Sequence, residues 1–333
     1  MKIIWSGLRR TFLLCAVLAS AILLLPVTGL AQEYPSKPVR LVVPYPPGAG
    51  TDVLARVLAQ RVSTQLGQNV VVENRPGANG VIGIESVVKS AADGYTLLFT
   101  PNSPIVSNPH LYPISWDMLK DLDPVALVAT GNFVLVGHPS VPFQTLDELI
   151  AYAKNNPRKL TFASAGVGSQ AHIDFEMLKS GAGIDALHVP YKGGAPAAVD
   201  LLGGQVQLFF EALPVMLPHI RSGKLKAFGV TSAQRSAFLP GVPAIIELVK
   251  SFDTGLGNPW YGVFAPAGTP DAVVRQLNSE LHKAAQAPDI QRRLPEGGYV
   301  AAPNTTPAEF RTFVRTKYEL VGKLIASLGL KVK

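Results

Sequence analysis

The sequence holds a single cysteine in 333 residues, Cys15, and it lies inside an apolar N-terminal run. Leu14 precedes it and the apolar run continues past it, which is the wrong setting for a lipidated cysteine. Beyond that run there is no thiol, so disulfides, thiol catalysis and cysteine-ligated metals are excluded for the rest of the chain. The six histidines are dispersed with no i, i+4 pair, and a metal site has no support. Lys and Arg form no run and no aromatic stripe interleaves them, which argues against nucleic acid as a partner. No apolar stretch reaches the roughly 20 residues that a membrane-spanning helix needs.

What is present begins with a leader. Lys2, Arg9 and Arg10 precede an apolar stretch of 14 residues, 12–25, which Pro26 ends. Gly29-Leu30-Ala31 then supplies small residues, so a secretory signal peptide cut after Ala31 is expected, with a periplasmic product. The formal charge of +7 falls to +4 once the three leader cations are removed, leaving a mild field that favours small anions. The remaining 302 residues must rely on packed cores rather than disulfides.

From residue 33 onward, strand-like runs alternate with helical stretches. The runs lie at 39–43, 70–73, 96–100, 125–129, 133–137, 161–164, 206–210, 227–231 and 261–265. Leu54, Val57, Leu58, Val62 and Leu66 repeat at helical spacing. Thr145 to Glu148 reads as a capping box, and Thr269-Pro270 and Thr306-Pro307 as helix starts. The alternation predicts α/β layers with largely parallel sheets, split into two lobes. The apolar segments 132–138 and 260–266 are the expected crossings. Lobe one would then be 32–138 with 259–333, and lobe two 139–258.

Two glycine loops occupy matching places: Gly48-Ala49-Gly50-Thr51-Asp52 after the first run, and Gly166-Val167-Gly168-Ser169 after the run at 161–164. Each leads into a helical stretch. A helix N-terminus offers free backbone N–H groups and the positive end of the helix dipole, so each loop is a candidate anion site. The second loop also fits the G-x-G-x-x-A form of a dinucleotide site, with Asp185 downstream. A serine-hydrolase elbow is not formed, because neither Ser164 nor Ser169 has glycines two residues away on both sides.

The segment Val43-Pro44-Tyr45-Pro46-Pro47-Gly48-Ala49-Gly50-Thr51-Asp52 resembles the opening loop of the Bug proteins, the extracytoplasmic solute receptors of tripartite tricarboxylate transporters. Similar matches follow in order: Glu73-Asn74-Arg75-Pro76-Gly77-Ala78, Asp93-Gly94-Tyr95-Thr96-Leu97-Leu98, the second glycine loop with His172, His188 to Gly193, Leu201 to Val206, and Ala265 to Pro270. The resemblance implies a two-lobed α/β periplasmic binding protein of the type II, Venus-flytrap class. It also implies a small carboxylate ligand, integral-membrane transporter subunits as partners, a monomer, and no cofactor, metal or catalysis. Ala49 stands where the family commonly has glycine, and Glu211 where it often has aspartate.

On this reading the ligand-binding residues are Tyr45, Gly50, Thr51, Asp52, Ser103, Ser164, Gly168, Ser169, His172, Tyr191 and Glu211. Backbone donors at Gly50, Thr51, Asp52, Gly168 and Ser169 would meet carboxylate oxygens through charge-assisted bonds. The hydroxyls of Thr51, Ser103, Ser164 and Ser169 would add to them, and Tyr45 would pack on the ligand's carbon body. Asp52 also suits helix capping, His172 packing, and Tyr191 a loop role. Glu211 would favour a neutral, protonated or amine-bearing ligand end.

Overall fold

The structure, a computed structural model, describes residues 34–48, 50–296, 299–327 and 329. The expected signal peptide, 1–31, and Ala49 lie outside the described residues. Residues 37–333 form the unit that carries both sheets.

The first sheet has six strands in the order β11-β4-β10-β3-β1-β2. They are β1 (Val39–Val43), β2 (Val70–Asn74), β3 (Thr96–Pro101), β4 (Leu122–Gly131), β10 (Trp260–Pro266) and β11 (Tyr299–Ala301). The second has five in the order β7-β6-β8-β5-β9: β5 (Phe133–Gly137), β6 (Thr161–Ser164), β7 (Leu187–Pro190), β8 (Leu208–Ala212) and β9 (Lys226–Val230). The apolar runs become strands because both faces are covered. All seven residues of β10, for example, are buried between β3 and β4 and the helices laid over them. On the Gly50–Leu66 helix the buried apolar set is Leu54, Ala55, Leu58, Ala59 and Val62, one stripe at helical spacing. Phe310, Val314, Val321 and Ile325 do the same for the Pro307–Ser327 helix, which packs on β4.

Three expectations need correction. The sheets are mixed, not largely parallel: β1–β2, β1–β3, β6–β7 and β6–β8 are parallel, whereas β10 and β5 pair antiparallel with both neighbours. The reversal arises because these strands lie where the chain passes between the sheets. The segment Phe133–Gly137, which a boundary at 138 assigns to the first lobe, hydrogen-bonds within the second sheet, so the chain changes sheet at Asn132. Thr269 does not cap a helix side-on; its hydroxyl donates to the Pro266 carbonyl, and the helix Asp271–Ala285 starts after Pro270.

The two passages are braced together. The Phe133 N–H donates to Thr231 Oγ1 at 3.0 Å, and the Thr231 hydroxyl donates to Asn258 Oδ1 at 3.0 Å. Thr231 is fully buried, so one hydroxyl ties the outgoing strand to the segment that returns toward β10.

Candidate functional site

Between the sheets lies a cleft of about 290 Å³. Of the eleven expected residues, Tyr45, Gly50, Thr51, Ser103, Ser169 and Glu211 line it. Gly50 and Thr51 open the Gly50–Leu66 helix, and Ser169 immediately precedes the Gln170–Ala182 helix, whose first residues Gln170 and Ala171 also line the wall. The Ser169 hydroxyl is buried, caps nothing, and has no hydrogen-bond partner. A buried hydroxyl without a partner is costly unless something arrives to satisfy it.

Two further helix N-termini reach the cleft that the sequence reading did not single out. Gly194 and Ala195 begin the Gly194–Leu202 helix, and Ala212 precedes the Leu213–Arg221 helix. Four helices of nine residues or more therefore start at one space, as does the short Asn102–Val106 helix, and no Lys, Arg or His is among the described residues that line it. Tyr261 of β10 and Tyr299 of β11 complete the wall. Their rings meet edge-on at 5.2 Å, with their hydroxyls hydrogen-bonded, and burial pushes Tyr299 up to about 12. The Tyr299 hydroxyl lies 2.7 Å from where a Cβ on Gly50 would stand, so only glycine fits under it. Tyr45 is hydrogen-bonded to the Ser103 side chain; burial raises its hydroxyl far above the ordinary value.

The other five expected residues stand behind the wall. The Asp52 carboxylate accepts from the Gly48 N–H at 2.9 Å, Arg56 Nε at 3.0 Å and Asn74 Nδ2 at 2.8 Å. Burial opposes its charge, but those bonds prevail and hold its carboxyl below the usual range. Asn74 also donates to the Tyr45 carbonyl, so Asp52 fastens the first loop. The Ser164 hydroxyl is fully buried: it donates to the Gly166 carbonyl and accepts from His188 Nε2 at 2.6 Å and from the Gly166 N–H. The Gly168 N–H, expected to face a carboxylate, donates to His172 Nδ1 at 3.1 Å. Gly168 has φ +77°, and a Cβ there would overlap Leu111, so the turn requires glycine. Tyr191 donates to Asp200 Oδ2 at 2.7 Å.

His172 and His188 stack at 4.0 Å beneath the second loop, with Phe162 beside them. Burial depresses both, His172 to about 3 and His188 to about 4, aided by the nearby Lys179. They are neutral scaffold groups at ordinary pH. The Ser164–His188 contact superficially suggests a nucleophile and base, but the hydroxyl is sealed from the cleft and its proton is given to Gly166. Asp185, the acidic residue demanded by a dinucleotide site, lies 3.9 Å from Lys179 and does not line the cleft.

Two mixed sheets, two passages between them and a cleft facing helix N-termini define a periplasmic binding protein fold. The chain belongs to the tripartite tricarboxylate transporter family receptors, whose pattern it matches over residues 54–330. It is 41% identical to Protein BugT of Bordetella pertussis over 321 residues, covering 95% of this chain and 96% of that one. Among solved structures it resembles the periplasmic binding protein BugD, with a TM-score of 0.81 and 34% identity over 90% of this chain and all of that one. The R. palustris protein Rpa4515, solved with adipate, gives 0.83 and 32% over the same shares. Members of this family are periplasmic solute receptors.

Proposed function

We propose that this protein captures a small carboxylate in the cleft and presents it to the integral-membrane subunits of a tripartite tricarboxylate-type transporter, without chemistry. The observation that carries the reading is the convergence of four helix N-termini on a cleft whose Ser169 hydroxyl has no partner. Each such terminus contributes about half a positive charge, so a carboxylate can be held without a formal cation. Thr51, Ser103 and Ser169 supply hydroxyls, backbone N–H groups near Gly50 and Ala171 supply the remainder, and Tyr45 covers the carbon body. The adipate in the R. palustris relative favours ligands of the dicarboxylate type, and the resemblance of the sequence to the Bug proteins keeps aromatic acids and acidic amino acids among the candidates. The leader cut after Ala31 would deliver a monomer to the periplasm. The two lobes, 32–132 with 259–333 and 133–258, would close on the ligand as a hinge.

The test is a thermal-shift panel of carboxylates, amino acids and nicotinamide cofactors on the purified chain lacking its leader. A receptor gains about 2.7 kcal/mol at 100 times the dissociation constant of its ligand. Stabilisation by an acid with no turnover is expected; stabilisation by NAD and by no acid would overturn the reading.

A further inference from the structure

The described lining of the cleft has two unlike parts. At one, Gly50, Thr51 and Ser169 bring in helix N-termini with no acidic side chain among the described lining residues there. At the other stands Glu211, the one acidic residue among the described residues that line the cleft. Its carboxyl lies against the other two helix starts. Oε2 sits where a Cβ on Gly194 would be, and Oε1 accepts from the Ala212 N–H at 2.7 Å. The Ala212 N–H therefore already holds a carboxyl of the protein's own, and the start of the Gly194–Leu202 helix lies against it.

Among the described residues, the groups shown against Glu211 include no cation. Tyr261 of β10 and Tyr299 of β11 lie within electrostatic reach. Val134 is its neighbour across β5, and Gly194 and Ala212 contribute backbone. With no ion partner, burial lifts the carboxyl to about 7 despite the Ala212 N–H. A second carboxylate brought against it would place two anions in contact in a low-dielectric site, which is relieved only by taking up a proton.

We propose that Glu211 sets the ligand class of this cleft: its carboxyl accepts a hydrogen bond from a hydroxyl, amide or ammonium at one end of the ligand, while the Gly50–Ser169 part takes the ligand's single carboxylate. This rests on the solute-receptor reading above. A dicarboxylate enters as a dianion only when one proton is shared with Glu211, so its binding strengthens as pH falls, whereas a donor-ended acid binds without that proton.

The experiment is calorimetry on the chain lacking its leader, with three pairs of probes: succinate and succinamate, adipate and adipamate, terephthalate and 4-carbamoylbenzoate. At pH about 8.5 the monoamide of the best-fitting pair is expected to bind at least about tenfold tighter than its dianion. Between pH about 8.5 and 5.5 the dianion should gain about tenfold or more, with proton uptake seen as a buffer-dependent heat, and the monoamide should show no gain. Glu211→Gln should erase the preference and the pH dependence. Equal binding of dianion and monoamide at the higher pH, or a preference that survives Glu211→Gln, would overturn the proposal. The wild-type pH series decides the matter if that variant does not fold. Absence of heat with all six acids in the wild-type protein would overturn the receptor reading and the proposal with it, an outcome distinct from equal binding within a pair.

Discussion

The Asn102 amide donates to Gln170 Oε1 at 2.5 Å, joining the end of β3 in the first sheet to the first turn of a helix on the second. Both residues line the cleft. Gln170 in turn donates to Asp174 Oδ1 at 2.6 Å and to the Leu256 carbonyl at 2.8 Å, so one amide spans both sides of the cleft. Asp174 is fully buried, and burial drives its carboxyl far above the usual range despite the Gln170 bond. Gln170→Leu strands Asn102, Asp174 and the Leu256 carbonyl together. A loss of about 1–3 kcal/mol in urea unfolding is expected, with weaker ligand binding; unchanged stability would mean water replaces the amide.

Ser169 and Ser164 offer a paired comparison. Ser169→Ala removes a hydroxyl with no partner in the protein, so it should leave stability within about 0.5 kcal/mol and weaken ligand binding by roughly tenfold, since a hydrogen bond to a charged group is worth about 1.5–3 kcal/mol. Ser164→Ala should reverse the pattern. It strips the Gly166 N–H and His188 of their acceptor at a site closed to water, costing about 1–3 kcal/mol in denaturant unfolding. Calorimetry and chemical unfolding of the two variants together settle the assignment.

Asp52 should make the first loop acid-sensitive. Its carboxyl in the folded protein lies below the value of the unfolded chain, so the folded state favours its ionised form. The stability it contributes is fully present above an unfolded value of about 3.9 and is lost as pH falls through the lower folded value. Asp52→Asn should cost about 2 kcal/mol at neutral pH, in the range of hydrogen bonds to a charged group, and much less near pH 2. Equal destabilisation at both pH values would argue that the pairing with Arg56 contributes nothing.

Glu211 works in the opposite sense. Its folded value, about 7, lies above the ordinary 4.5, so the ligand-free folded state binds a proton that the unfolded chain releases. Stability should therefore decline as pH rises from about 4.5 to 7 on account of this group, then level off. Glu211→Gln should flatten that slope and gain roughly 3 kcal/mol at pH 8, an order-of-magnitude figure from a shift of this size. Parallel pH–stability curves for the two proteins would contradict it.

Much of the architecture was legible in the sequence because burial on both faces demands unbroken apolar runs. Val39–Val43, Phe133–Gly137 and Thr161–Ser164 were readable to the residue. β11 was not, since Tyr299-Val300-Ala301 is too short to carry a period, and neither was β7, whose residues are half-exposed on a sheet edge. Direction escaped as well: nothing in the composition of β10 reveals that it runs antiparallel to both neighbours. Within the site, the glycine loops signalled two helix starts. The Gly194 and Leu213 starts have no comparable signal: Gly193-Gly194 lacks the G-x-G form of the other two loops, and no glycine turn precedes Leu213. Ser164 and His172 carry the right chemistry for ligand contact, but inward rotation onto His188 and Gly168 is a tertiary outcome with no local signature. Tyr261 and Tyr299 lie more than 200 residues from the first loop in sequence, and only the return of the chain to the first sheet brings them there.

That return has a bearing on synthesis. Tyr299 stands over Gly50, so a wall of the cleft comes from the far end of the chain. Until residue 299 has emerged from the ribosome and β11 has docked on β4, the pocket is open on one side. Capture of a solute thus waits on the last strand of the first sheet, and binding activity would report on the docking of β11.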